Sequence, residues 1–381
     1  MKEKKICPYH EYCGACTKQG LSYAKQLEWK QNKINRLFQK IHEVKTIIGT
    51  DDPYHYRNKA QISFGYDDRH HIIAGNYVES THIIVPIEEC QLVDPKANAI
   101  FQTILKLAKK YHLSVFDERK LSGFLRHVLI RNSHDDTEIM VVFVTGTDRF
   151  PHKKEIITEL TDRHPAIVSI IQNINRRHTS MILGNHSFTL YGKDHITDEF
   201  CGYRFKLSCS SFYQISHAQT EKLYEHALKM AKIRKTDTVL DTYCGIGTIG
   251  IIASKEAGKV IGVELNKQAV KDAISNAKDN KVNNIYFYQE DAGTFMDKYQ
   301  DEVDVLIMDP PRSGSDFRFL SAVNRLSPER IVYISCEPET QVRDLKYLLK
   351  KNYKITDVQP FDLFPFTDHI ENVCVLKREK R

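Results

Sequence analysis

The chain has 381 residues, 41% of them hydrophobic and 27% charged, an ordinary composition that excludes wholesale disorder and points to two or three domains. It contains no apolar run of about 18 residues, the length a spanning helix needs. Lys and Arg number 55 against 49 acids, and residues 1–50 hold ten of the first and four of the second, so the excess of +6 sits at one end and the rest is balanced.

A basic end suits a polyanion such as RNA or DNA, although a solvated helix face has the same composition. No apolar stretch follows the basic Met1-Lys-Glu-Lys-Lys start, so no secretory signal is expected. Nine scattered cysteines, an odd number, argue for reduced thiols in a cytoplasm.

In chain order, residues 1–20 are rich in Cys and Gly. Leu27, Ile34, Leu37, Phe38 and Ile41 recur at helical spacing among lysines, which predicts a helix over 21–42. Residues 54–90 read as strand-rich, and a helix is expected over 95–111. Phe124–Arg131 and Glu138–Thr145 read as strands joined by a polar turn, followed by a short helix near 153–162 and a strand near 166–174. From about 195 strands and helices alternate: helix 219–233, strand Thr238–Asp241, helix 248–257, strand Val260–Glu264, helix 266–280, strands Ile285–Gln289 and Val305–Met308, helix 316–326, strand Ile331–Ser335 and helix 339–350. That alternation predicts an α/β domain with a parallel, doubly wound sheet. The expected organisation is therefore a cysteine segment with a basic helix over 1–45, a strand-rich central domain over 46–194 and a Rossmann-like domain over 195–381.

In such sheets ligands bind outside the carboxyl ends of the strands. The first strand ends in Asp241-Thr-Tyr-Cys-Gly245-Ile-Gly247-Thr-Ile-Gly250, and Glu264 follows 19 residues after Gly245 at the end of the second. The glycines match a dinucleotide fingerprint, but Asp241 would repel a pyrophosphate at this loop. S-adenosylmethionine carries an ammonium instead, which a carboxylate favours. Glu264 is suited to ribose hydroxyls, and Asp291 to an adenine edge or to a helix N-cap. The fourth strand ends in Asp309-Pro310-Pro311-Arg312, whose prolines fix the backbone around a carboxylate.

The fifth strand ends in Ser335-Cys336-Glu337-Pro338, which puts a thiol before a helix N-terminus, where thiolate is favoured. Cys209 and Cys374 lie in apolar runs and read as core. Near the C-terminus, His369 and Glu371 alternate with apolar residues. A thiol, a methyl donor and a spare carboxylate suggest one reaction. A thiolate adding to uracil C6 makes C5 nucleophilic, and a base then removes the C5 proton.

The sequence resembles the RNA uracil-C5 methyltransferases, the family containing the bacterial 23S rRNA and tRNA enzymes. The resemblance rests on Ser211-Phe-Tyr-Gln214, Asp241-Thr-Tyr243-Cys-Gly-Ile-Gly-Thr248, Met308-Asp309-Pro-Pro-Arg312, Ser335-Cys336-Glu-Pro-Glu-Thr340 and Phe364-Pro-Phe-Thr-Asp-His369-Ile-Glu371, with Tyr56-Arg-Asn-Lys59 and Gly192-Lys-Asp upstream. It implies Cys336 as nucleophile, Glu371 as proton acceptor, and Gln214, Tyr243, Thr248, Glu264, Asp291 and Asp309 around S-adenosylmethionine. Glu337 stands where the family usually has Asn, and Ser313 where Lys is common.

Cys7-x5-Cys13-Gly-Ala-Cys16, with Cys90 far downstream, invites a metal. Cys7, His10, Cys13 and Cys16 make a possible zinc set, and Cys7, Cys13, Cys16 and Cys90 a possible [4Fe–4S] set. The spacing is similar to that of the cluster-bearing members of the family, which implies the iron–sulfur cofactor. Many relatives carry a small β-barrel RNA-binding domain before these cysteines, and Cys7 stands too early to leave room for one. The resemblance implies an RNA partner, 23S rRNA foremost and tRNA as the alternative, held by residues 18–45, the strand-rich central domain and the pocket rim, with neither a membrane nor an obligate protein partner. An amino-group methyltransferase and an idle RNA-binding iron–sulfur scaffold are the competing readings, and intact Cys336 and Glu371 speak against both.

Overall fold

The computed structural model describes residues 6–379. Along the chain lie α1 (Tyr23–Phe38), β1 (Lys59–Tyr66), β2 (Ile72–Tyr77), β3 (Ile84–Pro86), α2 (Pro95–Lys110), β4 (Leu125–Asn132), β5 (Ile139–Thr145), α3 (Lys153–Arg163), β6 (Ile167–Ile174), β7 (His186–Gly192), β8 (His195–Phe200) and β9 (Tyr203–Ser208). They are followed by α4 (His217–Ala231), β10 (Thr238–Thr242), α5 (Thr248–Ala253), β11 (Lys259–Glu264), α6 (Lys267–Asp279), β12 (Ile285–Gln289), α7 (Ala292–Lys298), β13 (Val305–Met308), α8 (Phe317–Leu326), β14 (Arg330–Ser335), α9 (Pro338–Leu349), β15 (Tyr353–Phe361) and β16 (Glu371–Arg378). No helix among the described residues is long and apolar enough to cross a membrane.

Two compact units emerge. One combines the chain up to Gly20 with Asp52–Glu199 and Lys206–Ser210, and the other combines Leu21–Asp51, Phe200–Phe205 and Ser211 onward. This division differs from the three-part reading of the sequence, because residues 21–51 group with the C-terminal unit and not with the cysteine segment. The apolar stripe of α1 explains it: Ile34 and Phe38 are fully buried in the C-terminal unit's core, with Leu27, Leu37 and Ile41 packed against it.

In the first unit a seven-stranded sheet runs β3-β2-β1-β4-β5-β6-β7. Neighbours are antiparallel except β5 and β6, which are parallel, as the crossover through α3 requires. The central β4 and β5 are buried along their whole length. Apolar residues of α2, such as Ile100, Ile104 and Leu107, pack on this sheet with Ile156 and Leu160 of α3. Asp94 caps α2 by accepting from the Lys96 and Ala97 amides, and Pro95 supplies a preset first turn.

In the second unit the order is β12-β11-β10-β13-β14-β16-β15. Strands β10 to β14 are mutually parallel, as the sequence predicts. β16 then inserts antiparallel beside β14, with β15 outside it. The sequence offers only a strand-like run around Cys374 with alternation at His369 and Glu371, and neither the pairing nor its direction. The chain leaves β10 toward β11 on one side and β13 on the other, so the crevice of this topology opens at the carboxyl ends of β10 and β13.

Candidate active site

The strand ends place the residues singled out by sequence. Asp241 lies in β10, Glu264 closes β11, Asp309 follows β13 and Cys336 follows β14. Because β16 runs antiparallel to β14 with Ser335 opposite Asn372, its first residue, Glu371, falls beside the Cys336 position. Two segments 35 residues apart thus deliver a thiol and a carboxyl to one edge.

Gln214, Tyr243, Thr248 and Asp309 line one cleft, together with Phe200, Phe212, Tyr224 and Gly245. Its floor is the loop after β10. Tyr243 takes φ 63°, a left-handed conformation that is strained for a bulky side chain. Gly247 at φ 82° has no such penalty, and a Cβ there would press the Phe287 ring at 2.9 Å. Glu264 lies outside this lining and braces it: its Oε2 accepts from the Gly245 amide at 3.1 Å and its Oε1 from the Asn266 amide at 2.7 Å. Asp291 also lies outside it. Its exposed carboxylate caps α7, accepting from the Thr294 amide and hydroxyl.

Asp241 is buried below the loop, and its Oδ2 has no hydrogen-bond partner. Burial pushes this carboxyl up to about 8, with Asp309 and Glu264 adding repulsion. Asp241 is absent from the cleft lining, and a Cβ on Gly250 of α5 would lie 2.9 Å from its Oδ2, beside Ile285 and Val260.

Around the thiol the charges are densely coupled. Burial pushes Cys336 up to about 11, and Glu371 and Asp309 push in the same direction. The Arg312 guanidinium opposes them by donating a hydrogen bond to the thiol. Burial raises Asp309 to about 7 and drives Glu371, 2% exposed, well above the usual carboxylate range. Arg312 also donates to His369 Nε2 at 3.3 Å. A ring nitrogen that accepts is unprotonated, and burial and Arg312 both hold His369 below its ordinary value.

The segment leading to Glu371 is fastened by α1. Lys30 Nζ donates to Asp362 Oδ1 at 2.6 Å and to the Phe364 carbonyl at 3.0 Å. Gln26 Oε1 accepts from the Phe366 amide at 2.8 Å, where Phe366 has φ 66°. Lys33 reaches Glu339 at 3.0 Å, in the first turn of the helix that follows Cys336.

In the other unit, Cys7, Cys13, Cys16 and Cys90 line one small cavity with Tyr9, His10, Gln19 and Ile87. Buried Asn98 fixes the Cys90 backbone through both its amide and its carbonyl. Burial pushes Cys16 up to about 12 and also raises Cys7 and Cys90, with neighbouring cysteines adding repulsion. Arg57 favours the thiolates of Cys16 and Cys90. Cys209 and Cys374 are buried, as read from the sequence.

Sequence reasoning assigned no role to Arg312, Arg57, Lys30 or Tyr224. Tyr224 is buried, hydrogen-bonds Gln214 and sits four residues after Thr220 on α4. That helical spacing was the one signal that both line the cleft.

The chain matches the model of the tRNA (uracil-5-)-methyltransferase family over residues 22–379. It is 40% identical over 377 residues to an uncharacterized RNA methyltransferase of Staphylococcus aureus, covering 97% of this chain and 83% of the relative. It is 39% identical over 376 residues to an uncharacterized RNA methyltransferase of Oceanobacillus iheyensis, covering 96% and 82%. Among solved structures, the Pyrococcus abyssi tRNA (uracil-54, C5)-methyltransferase in complex with S-adenosyl-L-homocysteine superposes with a TM-score of 0.80 at 28% identity, covering 96% of this chain and 86% of that one. The fold and site define an RNA methyltransferase. The chain belongs to the tRNA (uracil-5-)-methyltransferase family.

Proposed function

We propose that the protein methylates C5 of a specific uridine in RNA, with S-adenosylmethionine as donor and 23S rRNA as substrate. The observation that carries the reading is the convergence of Cys336, Glu371, Asp309 and Arg312 beside the cleft after β10. A second reading, methylation of tRNA at uridine 54, is supported by the Pyrococcus abyssi neighbour.

S-adenosylmethionine supplies an electrophilic methyl group when bound. Gln214, Tyr243, Thr248 and Asp309 line the cleft that would hold the donor, and Glu264 holds its loop. Asp291 is exposed at the next strand end, free to meet the adenine side while capping α7.

Burial, Glu371 and Asp309 hold the Cys336 thiol protonated at rest, despite its place before α9. It gives its proton to water, with Arg312 favouring the loss, and the thiolate adds to uracil C6. The C5–C6 π pair then becomes an enolate, nucleophilic at C5. Arg312 keeps His369 neutral, so that ring does not compete for the negative charge. After C5 is methylated, Glu371 takes the C5 proton, the C5=C6 bond reforms and Cys336 leaves. Burial and Asp309 hold Glu371 protonated in the free protein, so it accepts the C5 proton only after giving up its own, a loss that Arg312 favours. Asp309, beside both groups, orients the base.

Cys7, Cys13, Cys16 and Cys90 suit a [4Fe–4S] cluster. Buried thiols that repel one another as thiolates need a cationic core, and Arg57 offsets remaining negative charge. The methylation needs no electron, which leaves the cluster a part in folding or in RNA contact.

The deciding experiment is mass mapping of 5-methyluridine in rRNA and tRNA from cells with and without the gene. Loss of one 23S rRNA site supports the proposal, loss at tRNA uridine 54 supports the second reading, and no loss in either RNA contradicts both.

A further inference from the structure

Buried Arg126, in β4, spends its guanidinium on one loop. Its Nη1 donates to the Asn175 and Arg177 carbonyls at 3.2 and 2.8 Å, and its Nη2 to the Thr179 carbonyl at 3.1 Å and to Glu118 at 2.6 Å. Asn175, also buried, donates to the Met181 and Ile182 carbonyls and accepts from the Arg177 amide. Buried Asn173 donates to the Gly184 and His186 carbonyls and accepts from the Gly184 amide at 2.6 Å. Three buried polar side chains thus fix the backbone of a surface loop. Burying such groups is costly unless they are hydrogen-bonded. Arg126 Nε has no hydrogen-bond partner among the described residues, and the remaining donors fix one backbone shape in a loop where Arg176, Arg177, His178 and Met181 are exposed.

That loop and the strand after it are unusual in charge and in surface. Residues 175–193 contain Arg176, Arg177 and Lys193, two histidines and no acid, a net +3 in a chain whose total is +6. Arg177 and His178 are exposed. Arg176 and Lys193 pair with Asp148 and Glu138, with both cations about half exposed and able to exchange partners. β7 is an edge of its sheet and carries Phe188 at 54% and Tyr191 at 41% exposure, with Met181 at 64% in the loop before it. Open edges with exposed aromatics invite aggregation and are normally blunted. Cations beside exposed rings instead match a strand whose phosphates are held by arginine and whose unpaired bases stack on aromatic faces.

We propose that the loop 175–184 and edge strand β7 form a preformed docking surface for single-stranded RNA. This rests on the RNA-methylation reading above and assigns it a contact surface outside the methyl-transfer cleft. Arg177 binds phosphate, and Phe188 and Tyr191 stack unpaired bases. Because the loop is already ordered, little conformational entropy is lost on docking.

The test uses fluorescence anisotropy with a fluorescein-labelled RNA hairpin carrying a uridine-rich loop, and a blunt RNA duplex of equal length. The proteins are the full chain, Arg177→Glu, and the double variant Phe188→Ala/Tyr191→Ala. All three positions are exposed, and unchanged circular-dichroism spectra and thermal unfolding verify folding. Arg177→Glu should weaken both RNAs about tenfold near physiological salt and flatten the log–log salt slope by about one. The aromatic double variant should weaken the hairpin about tenfold and leave the duplex nearly unchanged. Parent-like hairpin affinity in both variants, with the parent still methylating RNA, overturns the proposal and leaves the surface to a protein partner. A parent that makes no 5-methyluridine in any RNA overturns the functional reading, and the docking proposal with it.

Discussion

Lys30 and Asp362 lie 332 residues apart in the chain and meet at 2.6 Å, with neither side chain exposed to solvent. The pair ties α1 to the segment that delivers His369 and Glu371. Asp362 also accepts from the Phe364 amide, and Thr367 donates to the Phe364 carbonyl, so the turn is held from both sides.

Removing one partner of a buried pair leaves a charge without compensation. Lys30→Met should therefore destabilise the C-terminal unit by about 3–5 kcal/mol, and Lys30→Met/Asp362→Leu should recover much of the loss. The chain's single tryptophan, Trp29, is the neighbouring residue on α1. Urea unfolding followed by its fluorescence reads the transition directly. An unchanged midpoint in Lys30→Met would contradict the role given to the pair.

The pH dependence follows from acids raised in the folded state. Asp241 is pushed up to about 8 and Asp309 to about 7, both by burial, while Glu337 reaches about 7 through its hydrogen bond with Glu339 and burial. Each protonated form is favoured by folding. The stability they contribute is therefore complete below the unfolded carboxylate range and is lost as pH rises through about 5 to 8. Thermal midpoints of the ligand-free protein should fall across that window, and less steeply in Glu337→Gln. A rising midpoint in the parent would contradict the assignment.

Glu264 accepts from two backbone amides, and the ribose role read for it from the sequence is open to direct test. Glu264→Ala should weaken S-adenosylmethionine binding by about 1–3 kcal/mol in calorimetry, the scale of charged hydrogen bonds. Unchanged affinity would remove Glu264 from the donor site.

Much of this site was legible because chemistry sits at strand ends. The alternation after residue 195 placed β10 to β14, and the residues just after each strand included Glu264, Asp309 and Cys336. What stayed hidden depends on pairing between distant segments. Nothing local says that β16 runs antiparallel against β14, yet that register is what puts Glu371 beside Cys336. Lys30 likewise reads as one more lysine on a basic helix, and only tertiary packing buries it. Arg126 reads as an ordinary strand residue until the loop it anchors is in place.

The cysteine cavity predicts a metal of definite kind. Protein purified without oxygen should be brown and contain about four irons per chain when the site is full. Cys90→Ser should lose the colour, and Arg57→Leu should retain less iron, because it removes the cation beside Cys16 and Cys90. Stoichiometric zinc without iron, insensitive to Cys90→Ser, would establish the Cys7, His10, Cys13 and Cys16 site instead.

The central claim is covalent catalysis by Cys336 with Glu371 as base, and a trapping experiment tests it most directly. RNA carrying 5-fluorouridine at the target has no removable C5 proton after methylation, so elimination stalls. Incubation with S-adenosylmethionine should give a protein–RNA adduct stable in denaturing gels, absent with Cys336→Ala and absent without the methyl donor. On ordinary RNA, Glu371→Gln should accumulate the methylated adduct, because only the proton removal is slowed. The contradicting result is Cys336→Ala that still makes 5-methyluridine at a rate near the parent's.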